Sequence, residues 1–297
     1  MNRIKDQIRC GAAYRLGLTG KGIGVAVLDT GIFLHRDFDS RVIGFADMVN
    51  GKTFAYDDCG HGTHICGIIG GSGRMSGGRY SGIAPGCDLV MVKVLDRKGN
   101  GYSSDVLAGI SWILERKEKL GIRILNISVG ACSKRGMSEN SALVKGVNRA
   151  WDAGLVVVVA AGNNGPRTMS ITTPGISRKV ITVGCSDDDR EVLVGGNRMV
   201  DYSGRGPTAA CICKPDLVAP GCSVISCSGR ADKYTIKSGT SMSTPIVSGA
   251  TALLLERYPD MTNKDVKLKL RESCTDIGLP RNQQGWGLLD VEKLVSK

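Results

Sequence analysis

Gly22-Ile23-Gly24-Val25-Ala26-Val27-Leu28-Asp29 is a short β-branched run that ends on a carboxylate and continues as Thr30-Gly31. A continuous apolar run of this length reads as a strand buried on both faces, the habit of parallel sheets covered by helices. Sites in open parallel sheets form at the carboxyl ends of strands, so Asp29 stands where chemistry gathers. Four further runs repeat the pattern: Asp88 to Leu95, Ile122 to Val129, Leu155 to Ala161 and Val180 to Cys185. Between them lie helical stretches. Residues 103–119 carry Val106, Ile110, Ile113 and Leu114 on one stripe and Gly121 closes them; residues 138–153 are helical again. Strand alternating with helix predicts an α/β fold: one three-layer domain over residues 1–297, with a mostly parallel central sheet and helices on both faces. Residues 1–20 read as a helical or irregular lead-in. From 186 to 240 the pattern shifts to short strands and turns, and helices follow at 242–258 and about 262–272. No linker or internal repeat interrupts the chain.

Composition sets the remaining bounds. A chain of 297 residues, 42% apolar and 23% charged, can bury roughly three quarters of its unfolded surface without disulfide or metal. No run approaches the ~18 apolar residues of a membrane span, so no membrane partner is expected. The net charge of +11 comes from scattered residues, densest from Lys264 to Arg271. No basic stripe with interleaved aromatics is present, which argues against a specific nucleic-acid partner. Eleven cysteines are an odd number and lack a dense framework; they read as reduced thiols packed as small core residues. No apolar segment follows Met1-Asn2-Arg3-Ile4-Lys5-Asp6, so no signal peptide is visible. The expectation is a cytoplasmic protein, or a secreted one if the chain is an excised mature domain. Oligomeric state leaves no signal. Gly20-x-Gly22-x-Gly24 precedes its strand, whereas a dinucleotide loop must follow one.

The other chemistry-bearing words also fall at turns. Gly239-Thr240-Ser241-Met242-Ser243-Thr244-Pro245 precedes the apolar run Ile246 to Leu255, with Val247, Ala250, Thr251 and Leu254 on one stripe. Ser241 then lies at a helix N-terminus, where unpaired N–H groups favour negative charge. Taken alone, it is a helix cap or a nucleophile. Gly60-His61-Gly62-Thr63-His64 opens a helix of small residues, and Ala160-Ala161-Gly162-Asn163-Asn164-Gly165 follows a strand. Asp, His, Asn and Ser are the residue types of acyl transfer: orienting carboxylate, general base, oxyanion donor and nucleophile. Serine needs a base with a pKa near 7, and the chain has only three histidines. Spacing leaves open His61 or His64, and Asn163 or Asn164.

Here the sequence resembles the subtilisin-like serine peptidases, the subtilases. The resemblance rests on Val25-Ala26-Val27-Leu28-Asp29-Thr30-Gly31-Ile32, Gly60-His61-Gly62-Thr63-His64, Ala161-Gly162-Asn163 and Gly239-Thr240-Ser241-Met242 in that order. Gly82-Ile83-Ala84-Pro85, Asn126-Ile127-Ser128-Val129-Gly130, Ser203-Gly204-Arg205-Gly206-Pro207 and Lys214-Pro215-Asp216-Leu217-Val218-Ala219-Pro220-Gly221 add to it. It extends from about residue 10 to about residue 290 and points to the intracellular bacterial type. It implies a triad of Asp29, His61 and Ser241, with Asn163 donating to the oxyanion and His64 a packed helix residue. It further implies that Gly99, Asn100, Gly101 and Ser128, Val129, Gly130 pair with an extended peptide or protein substrate. A side-chain pocket would be walled by residues 128–130 and 160–162, Ala161 and Gly162 included. No carboxylate aligns there, so the expectation is broad, apolar-tolerant cleavage without a demand for Lys or Arg. A catalytically silent relative that keeps the groove to bind or regulate peptides is the alternative.

Departures from the family pattern are visible too. No cofactor is required, but many subtilases bind calcium, and His35-Arg36-Asp37-Phe38 resembles a ligand segment with Asp37 as the candidate. Its partner loop, residues 71–79, lacks carboxylates and Asn, although calcium takes six to eight oxygens. Cys59-x-His61-x-x-His64-x-Cys66 has zinc-ligand types but not the spacing of a structural zinc site. Thr173-Pro174-Gly175 resembles a family turn that often holds a cis proline, although trans is commoner overall. Only 28 residues precede Asp29, too few for a signal and a folding prodomain.

Overall fold

The computed structural model describes residues 1–130 and 139–296. Seven strands form one parallel sheet in the order β2-β3-β1-β4-β5-β6-β9. They are β1 (Gly24–Asp29), β2 (Val42–Asp47), β3 (Asp88–Lys93), β4 (Ile122–Ile127), β5 (Val156–Ala160), β6 (Ile181–Cys185) and β9 (Leu217–Ala219). β1, β5 and β6 are buried at every position, as their unbroken apolar runs require. Two antiparallel ribbons, β7 (Val192–Val194) with β8 (Asn197–Met199) and β10 (Val224–Cys227) with β11 (Tyr234–Lys237), account for the short strands of the later chain.

Helices cover both faces. α3 (His61–Gly70) and α6 (Thr240–Arg257) pack together on one, and α4 (Ser103–Arg116) and α5 (Ala142–Asp152) on the other. The lead-in folds as α1 (Asn2–Gln7) and α2 (Gly11–Arg15). The chain closes with α7 (Asn263–Ser273), α8 (Arg281–Gln284) and α9 (Val291–Val295). The predicted elements are present with ends shifted by one to four residues; α6 starts two residues earlier than expected and α5 four later. Position 138 of the expected helix 138–153 lies outside the described residues.

Two elements differ from the expectation. β2 was not foreseen: it is an edge strand, only partly buried and carrying Gly44, so its sequence lacks both a long apolar run and clean alternation. The predicted one-sided stripe on α6 is not a stripe. Fifteen of its 18 residues are buried, all but Ser241, Glu256 and Arg257, because it runs beneath the sheet centre between α3 and β4 to β6. Helices hydrophobic all round are core helices. Thr173-Pro174 is cis, as are Gly165-Pro166, Gly206-Pro207 and Lys214-Pro215.

The strand order decides where the site can form. From β1 the sheet continues through β3 and β2 on one side and β4, β5, β6 and β9 on the other. The order therefore switches at β1 and β4, and the crevice beyond their carboxyl ends is the site that such sheets offer. Asp29 ends β1, Ser128 follows β4, and Ala161 to Asn163 follow β5.

Candidate active site

Asp29 is fully buried, and its carboxylate holds the ring of His61. His61 Nδ1 lies 2.8 Å from Asp29 Oδ1 and 2.9 Å from Oδ2, and Thr30 N donates to Oδ1 at 2.7 Å. The contact places the imidazole proton on Nδ1 and leaves Nε2 as the free acceptor. The His61 side chain is 23% exposed, facing the cleft. Its position depends on close backbone approach: a Cβ on Gly62 would overlap the carbonyl oxygen of Gly31. Gly62 N also donates to Thr30 Oγ1 at 2.9 Å. Gly62 is thus what lets the start of α3 rest on the turn that ends β1.

α6 begins at Thr240 behind Gly239, whose φ of 139° favours glycine. Ser241 is therefore the second helical residue rather than the cap. Thr240 N donates to Asn163 Oδ1 at 3.0 Å, and Met242 N to Gly239 O at 2.9 Å. The Ser241 N–H between them has no partner among the described residues, an orphan donor of the kind every helix start leaves.

Asn163 is oriented by the same turn. Thr240 N can only donate, so it must face the amide oxygen, and Thr240 Oγ1 donates to that oxygen as well at 3.0 Å. The Asn163 Nδ2 group is left without a partner among the described residues. The Ser241 hydroxyl donates to Ser128 O at 2.7 Å; no hydrogen bond joins it to His61.

Asp29, His61, Asn163 and Ser241 are thus brought to one place. His61, Asn163 and Ser241 line a cleft of about 450 Å³ with Thr30, Ser128, Val129, Gly130, Ala160 and Gly162. Lys98 and Lys237 also line it, and no carboxylate does among the described residues. A second cavity of about 220 Å³ adjoins it between Gly99-Asn100-Gly101 and Ile127, Val129 and Gly130, floored by Leu95, Val106 and Leu143. The two expected substrate segments therefore face each other across an apolar hollow.

Two of the sequence expectations need correction. Ala161 does not line the cleft: it is fully buried, its N–H donates to Val183 O and its carbonyl accepts Thr172 N. As the last extended residue against β6, it supports the wall from behind. Asn100 N–H is not free for a peptide, because it donates to Asp96 Oδ1, and its carbonyl already accepts Asp96 N. It closes the turn that presents Gly99 and Gly101.

His64 is buried with Nε2 donating to Val224 O and Thr235 O. Burial pushes its pKa down to about 3, so it is a neutral packing residue. With His61 on Asp29 and His64 on these carbonyls, the four-residue Cys/His word assembles no metal cluster. Asp37 is also fully buried. Its Oδ1 accepts Met75 N, and its Oδ2 accepts the Tyr234 hydroxyl at 2.7 Å and the Cys227 thiol. A single carboxylate amid histidine, thiol and phenol does not fit calcium, which wants many hard oxygens. Protein donors hold the 71–79 loop instead.

Three supporting residues were missed from sequence. Lys93 is fully buried and donates to Thr30 O at 2.7 Å, Asp58 Oδ1 at 2.8 Å and Leu95 O at 2.6 Å, fixing the loop after β1. Asp57 accepts from Cys59 N, Gly60 N and Thr63 N at the start of α3. Thr240 holds both Asn163 and Gly162 N. The only signals were a lysine inside an apolar strand and a carboxylate pair just before Gly60-His61.

Comparison with known proteins places this geometry. The subtilase family matches residues 20–287, and the chain belongs to that family. It is 44% identical over 292 residues to Serine protease AprX of Bacillus subtilis, covering 93% of this chain and 65% of that protein. It is 34% identical over 287 residues to Subtilisin BL of Lederbergia lenta, with 97% and 96% covered. A crystal structure of a cold adapted subtilisin-like serine proteinase superposes with a TM-score of 0.75 at 29% identity, over 92% of this chain and 90% of that one.

Proposed function

We propose that the chain is a serine endopeptidase that cleaves peptide bonds of peptide or protein substrates through Ser241, His61 and Asp29. The observation that carries this reading is the pair of unused donors, Ser241 N–H and Asn163 Nδ2, beside a hydroxyl and an Asp-held imidazole in one cleft.

In the reaction, the Ser241 hydroxyl leaves Ser128 O and turns to His61 Nε2, which takes its proton as Oγ attacks the substrate carbonyl. Asp29 keeps the ring in place and stabilises the imidazolium. The oxyanion is held by Ser241 N–H and Asn163 Nδ2, donors already aimed and therefore free of reorganisation cost. The imidazolium protonates the leaving amine, and water then releases the acyl group by the same steps. No metal takes part in these steps. The substrate enters extended, with its backbone against Gly101 and residues 128–130 and its apolar side chains in the adjoining hollow. Cleavage is broad and apolar-tolerant, without a requirement for Lys or Arg, because no carboxylate lines the cleft among the described residues. A cytoplasmic location belongs to the same reading. It is supported by ten free cysteines, six of them buried; the eleventh, Cys132, lies outside the described residues.

Digestion of a mixed peptide library tests the proposal. Wild-type protein should cleave internal bonds after apolar residues, and Ser241→Ala should not. Binding of peptides without turnover by folded wild-type protein would instead support a silent peptide-binding relative.

A further inference from the structure

Behind the nucleophile helix lies a second cluster of reactive side chains that the hydrolytic reading does not use. Cys185 ends β6, Cys222 follows the Pro220-Gly221 turn, and Asp187 lies between β6 and the β7–β8 ribbon. One ligand atom from each lies within 4.8 Å of the others. Cys185 Sγ is 3.2 Å from Asp187 Oδ1, and the buried Tyr202 hydroxyl sits between the thiols, 3.2 Å from Cys185 Sγ and 3.1 Å from Cys222 Sγ. Cys185 and Cys222 are nearly inaccessible, while the Asp187 side chain keeps 13% exposure. The cluster therefore has one open side.

We propose that Cys185, Cys222 and Asp187 bind a thiophilic divalent cation of the zinc class. The donor set of two sulfurs and one carboxylate suits such an ion. Tetrahedral zinc with Zn–S near 2.3 Å brings its ligand atoms to roughly 3.3–3.8 Å apart, a contraction of about 1 Å at most from the present spacing. The fourth position falls to the Tyr202 hydroxyl or to water entering beside Asp187. Binding exchanges protons for metal: M²⁺ plus two thiols gives a dithiolate complex and two protons released to solvent, with no change of oxidation state. Two thiolates, a carboxylate and a divalent ion sum to one negative charge. Arg3 supplies the balancing charge, donating to Asp187 Oδ2 at 2.8 Å and to Cys222 O. Gly221 N and Cys222 N also donate to Asp187 Oδ1, at 2.7 and 3.0 Å, fixing its orientation as outer partners of metal ligands do.

The cluster His35, Asp37 and Cys227 is the weaker candidate. His35 Nδ1 already accepts Asp37 N, and Nε2 contacts Lys233 O. At Cys185 and Cys222 the metal displaces the thiol protons, takes up or displaces the Tyr202 hydroxyl between the sulfurs, and shares Asp187 with the N–H groups of Gly221 and Cys222. Because binding releases two thiol protons, metal affinity should rise with pH, about 100-fold per unit while both thiols are protonated.

The test titrates the full chain with Co²⁺ or Cd²⁺ and reads thiolate-to-metal charge-transfer absorption. One equivalent with a two-thiolate band is expected, reduced at least 100-fold in affinity by Cys185→Ala or Cys222→Val. A second arm needing no variant follows the slow alkylation of wild-type cysteines through transient opening by mass spectrometry, where Cd²⁺ should slow the labelling of Cys185 and Cys222. A band unchanged in both variants, no protection of these two cysteines, or a Cys185–Cys222 disulfide in the native protein would overturn the proposal.

Discussion

The orientation of Asn163 makes a prediction with two graded arms. Asn163→Leu keeps side-chain size but removes Nδ2 from the cleft. Loss of such an oxyanion donor, measured on a subtilisin, costs about 10²–10³ in kcat, about 2.7–4 kcal/mol, with KM little changed because the donor acts on the transition state. Thr240→Val is subtler. It keeps the shape of the turn and the Thr240 N–H bond to Asn163 Oδ1, but deletes the Oγ1 bond to the same oxygen; the bond Oγ1 accepts from Gly162 N is lost too, in the pocket wall, where it should report in KM. One neutral hydrogen bond is worth about 0.5–1.5 kcal/mol, so kcat should fall about 2- to 12-fold. The two effects should not add. With Asn163 already leucine, Thr240→Val should leave kcat nearly unchanged, since the hydroxyl acts through the amide. The assay is kcat and KM on a chromogenic peptide for the four proteins of the cycle, with unfolding by urea as a control. Full kcat in Asn163→Leu would refute the oxyanion role. Additive losses in the double variant would refute the positioning role of Thr240.

Other consequences follow from the buried groups. His64 has a folded pKa lowered to about 3 against about 6.5 unfolded, so the unfolded chain binds the extra proton. Stability is fully present above pH 6.5 and is lost as pH falls toward 3, at up to ~1.4 kcal/mol per pH unit; urea unfolding of Ser241→Ala between pH 6.5 and 5 should show that slope, and a flat profile would contradict it. Lys93→Met leaves two buried carbonyls unpaired, whereas Asp58 can hydrate, so denaturant unfolding should report a loss of about 2–4 kcal/mol. A loss under about 0.5 kcal/mol would show those bonds contribute little. Asp37 is satisfied by protein donors, so Asp37→Asn should lower Tm by the same amount with calcium or with chelator; a calcium-dependent difference would restore it as a ligand.

Much of this was legible because two kinds of signal coincide in the sequence. Fully buried strands such as Val156–Ala160 carry an unbroken apolar run, and the carboxyl ends of such strands are where sites form. β2 was illegible because an edge strand needs no such run. The tetrad residues stood out because Asp29, His61, Asn163 and Ser241 occur in short Gly-containing words at turns. What spacing left open, His61 against His64, the structure distinguishes by contacts between distant segments: a carboxylate on one ring and two carbonyls on the other. The same holds for Lys93, Thr240, Ala161 and Asn100. Their roles are set by which backbone groups are already paired, and those pairings join residues far apart or depend on how a loop closes.

The central claim is that Ser241 is an activated nucleophile. Treating folded protein with a fluorophosphonate and locating the adduct by mass spectrometry tests it most directly. A single adduct on Ser241, lost in His61→Ala, is the predicted result. Folded protein left unmodified at Ser241, or labelled equally after His61→Ala, would contradict the account.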